Sequence, residues 1–102
     1  MKESADGGAG ETVTRRLIIR GRVQGVWYRA WTVTQAEGLG LNGWVRNLSD
    51  GSVEALASGP EAAVEELIRR CWEGPTFAKV SSIDTEFADP PDEPGFLKKP
   101  TI

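Results

Sequence analysis

A chain of 102 residues, 39% hydrophobic and 26% charged, has ordinary globular composition and room for one domain, and no apolar stretch is long enough to span a membrane. The polar start Met1-Lys2-Glu3-Ser4 leads us to expect no secretory signal, a single cysteine at Cys71 and the lack of histidine exclude an internal disulfide and the commonest general base and zinc ligand, and a cytoplasmic location is expected. A net charge of −3 argues against a broad basic face for nucleic acid.

Residues 1–11 are small and polar without periodicity and are expected to form a disordered tail ahead of a domain over 12–102. Residues 13–20 predict a strand whose run Leu17-Ile18-Ile19 suits a central position buried on both faces, with Gly21 as its end. A glycine-flanked loop, Arg22-Val23-Gln24-Gly25, leads to a helix over 27–37 with Trp27, Ala30, Trp31 and Thr34 on one face and Gly38 and Gly40 as stop signals. A strand over 42–47, a turn at Ser49-Asp50-Gly51 and a strand over 52–57 form a hairpin. Pro60 suits the first position of a second helix, where Ala63, Val64, Leu67, Ile68, Cys71 and Trp72 form the apolar stripe and Gly74-Pro75 the end. Residues 79–87 predict a fourth strand. A Pro- and Asp-rich loop over 88–94 then leads to a short fifth edge strand over 95–99. The order βαββαβ specifies an α+β sandwich, a four-stranded antiparallel sheet with both helices on one face.

The charge distribution is uneven. Residues 12–36 hold Arg15, Arg16, Arg20, Arg22 and Arg29 and no acid, whereas Asp84, Glu86, Asp89, Asp92 and Glu93 gather near the other end. An arginine cluster in an acidic chain suggests a focused site for a small anion; the plainer alternative, favoured for Arg15 and Arg16, is solvated strand charge. The strand–loop–helix passage around Gly21 and Gly25 is a general recipe for anion binding, because glycines let consecutive N–H groups converge and a helix start adds partial positive charge. Arg29 would add a planar fork that matches phosphate oxygens. On these grounds alone, a helix-face arginine in a surface ion pair is the favoured reading of Arg29, and Asn47 could simply be a strand end before a turn. The four tryptophans read as packing, Cys71 as a small buried hydrophobe, and Glu54 as serving solvent or strand pairing.

The segment Gly21-Arg22-Val23-Gln24-Gly25-Val26-Trp27-Tyr28-Arg29 resembles the acylphosphatase signature G-x-V-Q-G-V-x-F/Y-R. Gly43-Trp44-Val45-Arg46-Asn47 followed by Asp50-Gly51-Ser52-Val53-Glu54 is similar to the second signature of that family, and Ala36 with Leu39-Gly40-Leu41 fits the intervening pattern. The resemblance implies a ferredoxin-like fold and hydrolysis of acyl phosphates to a carboxylate and orthophosphate. It places phosphate binding on the backbone amides of Arg22, Val23, Gln24, Gly25 and Val26 and on the Arg29 side chain, and orientation of the attacking water on Asn47. A carboxylate leaving group, with a conjugate-acid pKa near ~4–5, needs no general acid, so no metal or cofactor is required. The implied partners are a small acyl phosphate and orthophosphate as product and competitive inhibitor. A monomer that binds neither nucleic acid nor membrane is expected. The alternative is a non-catalytic anion-binding or carbamoyl-phosphate-handling domain. Little contact with the acyl group, and hence broad substrate tolerance, is expected.

Overall fold

Alternating apolar residues along the first strand decide how the sheet is buried. In the computed structural model, which describes residues 11–102, Leu17 and Ile19 are wholly buried while Ile18 between them is only half-buried. The strand β1 (Thr12–Arg22) therefore shows one face to the helices and the other to a more open side, rather than being buried on both. Of the tail expected over 1–11, residues 1–10 lie outside the described residues, whereas Glu11 is tied to the domain, its carbonyl accepting a hydrogen bond from the Glu61 N–H at 3.0 Å.

The remaining elements are α1 (Tyr28–Gly38), β2 (Asn42–Asn47), β3 (Val53–Pro60), α2 (Glu61–Glu73), β4 (Lys79–Phe87) and β5 (Phe96–Lys98). The sheet order is β4-β1-β3-β2-β5. Its first four strands are antiparallel, as the element order predicts, and β5 adds a short parallel edge to β2. Helix α2 lies over β1, β3 and β4, and α1 lies over β2 and β5. Both thus cover the same face of a ferredoxin-like α+β sandwich. Val45, Val53, Ala55 and Ala57 from the sheet meet Val64, Leu67 and Cys71 from α2 and Tyr28 and Ala36 from α1 in one core.

Three further expectations change. Gly21 does not end β1: the strand runs to Arg22 through an irregularity between Arg20 and Gly21. A Cβ on Gly21, whose φ is 125°, would strike the backbone of β4 at Lys79. The buried side of α1 is Tyr28, Thr32 and Ala36, not the stripe through Trp27, Ala30, Trp31 and Thr34. Thr32 enters the core without an orphaned hydroxyl because its Oγ1 donates to the Tyr28 carbonyl at 2.8 Å. Trp27 is 81% exposed and Trp72 half-exposed, so two of the four tryptophans are not core packing.

Candidate active site

The loop between β1 and α1 is pinned from below and turned by two left-handed residues. Val23 and Val26 are buried in the main core, while Gly25 at φ 73° and Trp27 at φ 68° bend the backbone between and beyond them. The Gln24 carboxamide clamps the loop to the β2–β3 turn, with Nε2 donating to the carbonyls of Leu48 and Ser52, both at 2.8 Å. That turn is itself closed by Asp50, which accepts from the backbone N–H of Ser52 at 2.9 Å; the Ser52 hydroxyl bond, followed by this amide, holds the Asp50 carboxyl below its ordinary range. Outside the strand and helix ladders, and among the described residues, no backbone carbonyl accepts from the N–H groups of Gln24, Gly25 or Val26. The first α-helical bond runs from the Trp31 N–H to the Trp27 carbonyl, so the first-turn amides of α1 are also free of helical partners.

These elements open on a cleft of about 310 Å³. Val23, Gln24 and Gly25 line it from the loop, Trp27, Tyr28, Arg29 and Ala30 from the start of α1, Asn47 from the end of β2 and Lys98 from β5. Two cationic side chains and no carboxylate face it, in a chain whose net charge is −3. The Arg29 guanidinium is half-buried and donates through Nη1 to the Lys99 carbonyl at 3.3 Å. Lys99 is in turn fixed by its N–H on the Val45 carbonyl at 2.8 Å, which continues the parallel pairing of β5 with β2. Arg29 meets no carboxylate among the described residues, which leaves the rest of its fork for an anion.

The structure therefore brings together Val23, Gln24, Gly25, Arg29 and Asn47 from the sequence reading. Arg22 stays exposed at the end of β1, and Val26 turns its side chain into the core; neither lines the cleft. The wider arginine cluster disperses: Arg15 pairs with Glu65, Arg16 with Glu54 and Glu86, and Arg20 with Asp84. Much of the apparent segregation of charge in the sequence is thus resolved across the β1–β4 ladder, and Arg29 alone of the cluster reaches the cleft. Lys98, Trp27, Tyr28 and Ala30 line the same space without having been named as site residues. Trp27 and Tyr28 lie within the recognised motif, but nothing in a three-residue strand signals that Lys98 will arrive there by parallel pairing.

The neighbouring titratable groups are inert at neutral pH. Burial pushes the Cys71 thiol up to about 12, against a smaller opposing pull from the Tyr28 hydroxyl. Burial also raises the Tyr28 phenol, which donates to the Cys71 carbonyl at 2.5 Å. No group of three or more Cys, Asp or Glu side chains suited to a metal occurs among the described residues. The chemical means in the cleft are an arginine, a lysine, a carboxamide and backbone amides.

A family model described as acylphosphatase matches residues 15–97. An acylphosphatase of Rhizorhabdus wittichii is 53% identical over 92 residues, covering 90% of this chain and 93% of its own. One from Rhodospirillum rubrum is 56% identical over 90 residues, covering 86% and 99%. The solved structure of an acylphosphatase from Coxiella burnetii superposes with a TM-score of 0.82 at 36% identity, covering 86% of this chain and 93% of that one.

Proposed function

The chain belongs to the acylphosphatase family and is an acylphosphate hydrolase, and on that premise we propose how its cleft carries out the reaction. The substrate is a small acyl phosphate. Its PO3 group lies against the loop amides of Val23, Gln24 and Gly25, which line the cleft, and the Arg29 guanidinium, and the Asn47 carboxamide holds a water on the far side of phosphorus from the leaving oxygen. What carries this reading is the convergence of Gln24, Gly25, Arg29 and Asn47, from three separate elements, on one cleft free of carboxylates.

The chemistry asks for little more. Water attacks phosphorus in line, a new P–O bond forms, and the bond to the acyl oxygen breaks with its electron pair leaving as carboxylate. That leaving group is a weak base, so no acid need protonate it. Charge on the equatorial oxygens is met by donors already in place, which is where most of the acceleration in phosphoryl transfer arises. The water's proton passes to a phosphate oxygen of the substrate. Orthophosphate, sharing the same oxygens, is a competitive inhibitor, and the enzyme acts as a cytoplasmic monomer.

Hydrolysis of benzoyl phosphate in 18O-labelled water, with a metal chelator present, tests the route. Label in orthophosphate and none in benzoate is expected. Label in benzoate would mean attack at the carbonyl carbon and would overturn the assignment of Asn47 and Arg29 to a phosphorus-centred reaction.

A further inference from the structure

Trp27 is the anomaly of the cleft. Among the described residues it is the only one other than glycine with a positive φ, at 68°, a region where a bulky side chain is strained. It is also 81% exposed, although a large aromatic side chain gains most by burial. Neither feature helps the fold: α1 begins without a side-chain cap at this residue, and the buried side of the helix is carried by Tyr28, Thr32 and Ala36. Glycine would relieve the strain, and a small polar residue would avoid the exposed area. Strained backbone and unspent aromatic surface, both at one residue on a cleft, point to a ligand rather than to packing.

The cleft itself has room for more than a phosphate. At about 310 Å³ it stands at the lower end of the ~300–1,000 Å³ range of pockets that take organic ligands. Its lining is of two kinds: Gln24, Arg29, Asn47 and Lys98 bring hydrogen bonds and charge, whereas Trp27 and Ala30 bring apolar side chains. We propose that Trp27 is the acyl-group subsite of this enzyme, a stacking surface that selects acyl phosphates with a planar aromatic or other broad apolar acyl group over small aliphatic ones. The inference rests on the phosphate being held by the loop and Arg29 as described above, and it replaces the expectation of an acyl group that touches little.

The test compares kcat/KM for benzoyl phosphate and acetyl phosphate in the wild type and in Trp27→Gly, Trp27→Ala and Trp27→Phe. Glycine tolerates the left-handed backbone, so loss in Trp27→Gly reports the ring rather than the bend. The benzoyl-to-acetyl preference is expected to fall roughly three- to ten-fold in Trp27→Gly and Trp27→Ala, the range that one aromatic contact supplies, and to be largely restored in Trp27→Phe. An unchanged preference in both small variants overturns the subsite. So does a loss equal for both substrates, which would mean that Trp27 only shapes the loop. A wild type with no turnover of either acyl phosphate would instead remove the underlying reading of the cleft.

Discussion

Glu54 illustrates how a single residue can mislead at the level of sequence. Its place in the turn-following strand suggests solvent or strand pairing, yet it is only 4% exposed. Its two carboxylate oxygens are each taken by an arginine: Oε2 by Arg16 Nε at 2.5 Å and Oε1 by Arg46 Nε at 2.7 Å. Burial works to raise its pKa, but the hydrogen bonds from Arg46 and Arg16 prevail and the carboxyl lies below its ordinary value. Pairing across β1, β3 and β2 is thus correct and exposure is not. Because the folded-state value is depressed, the stabilisation is present above the unfolded carboxylate range, ~4.3, and is lost as pH falls through the folded value. Glu54→Gln should therefore lower the unfolding free energy by about 1–3 kcal/mol at neutral pH, the partly exposed arginines limiting the loss. Urea unfolding at stepped pH values checks this: the gap between wild type and variant should close toward acid. A gap independent of pH would show that the charge on Glu54 is not what matters.

At the scale of elements, the strands and helices were legible because each is announced by strong local chemistry. Val64, Leu67 and Cys71 recur at helical spacing, and they are the buried residues of α2. Residues 42–47 and 79–87 were bounded by Gly, Asn and Pro and are β2 and β4 as expected. What escaped the sequence is orientation and long-range pairing. Helical spacing in α1 points to Trp27, Ala30, Trp31 and Thr34, whereas the equally spaced Tyr28, Thr32 and Ala36 carry the core face, the threonine hydroxyl being satisfied within its own helix. The arrival of β5 beside β2 depends on pairing residues some fifty positions apart, Gly43 with Phe96, and no local signal encodes it. The functional loop was legible through its motif, and its clamp by Gln24 was not, since a side chain reaching two carbonyls of a distant turn leaves no periodic trace. Glycine positions separate structural from incidental use. Gly43, with φ 141°, has the Leu56 carbonyl where a Cβ would stand, so Gly43→Ala should destabilise by about 3 kcal/mol or more. Gly38 ends α1 in open space, and Gly38→Ala should stabilise by about 0.4–1 kcal/mol. Thermal unfolding of the two variants, shifted in opposite directions, checks the register of β2 on β3; equal shifts would contradict it.

For the molecule as a whole, the decisive arrangement is the placement of charge. Acidic by three charges overall, the chain spends most of its first arginines on partners: Arg15, Arg16 and Arg20 are each paired with carboxylates from α2, β3 or β4. Arg29 is held instead by the Lys99 carbonyl, which fixes the guanidinium without neutralising it. The fold thus uses a neutral acceptor at the one place where a carboxylate would compete with a phosphate. Among the described residues no helix is long and apolar enough to cross a membrane, and a small cleft lined by two cationic side chains and no carboxylate suits a small anion.

The division of labour between Arg29 and Asn47 is open to direct measurement. Turnover of benzoyl phosphate and competitive inhibition by orthophosphate are to be measured together in Arg29→Ala, Arg29→Lys and Asn47→Ala, with circular dichroism confirming the fold. Both arginine variants should lose kcat/KM by at least ~10²-fold and weaken orthophosphate inhibition, since the planar fork binds the group as well as stabilising its transition state. Asn47→Ala should lose kcat by a comparable factor while the inhibition constant moves no more than a few-fold. Near-normal activity in either arginine variant, or equal losses of turnover and phosphate binding in Asn47→Ala, would contradict a guanidinium that grips phosphate while a carboxamide aims the water.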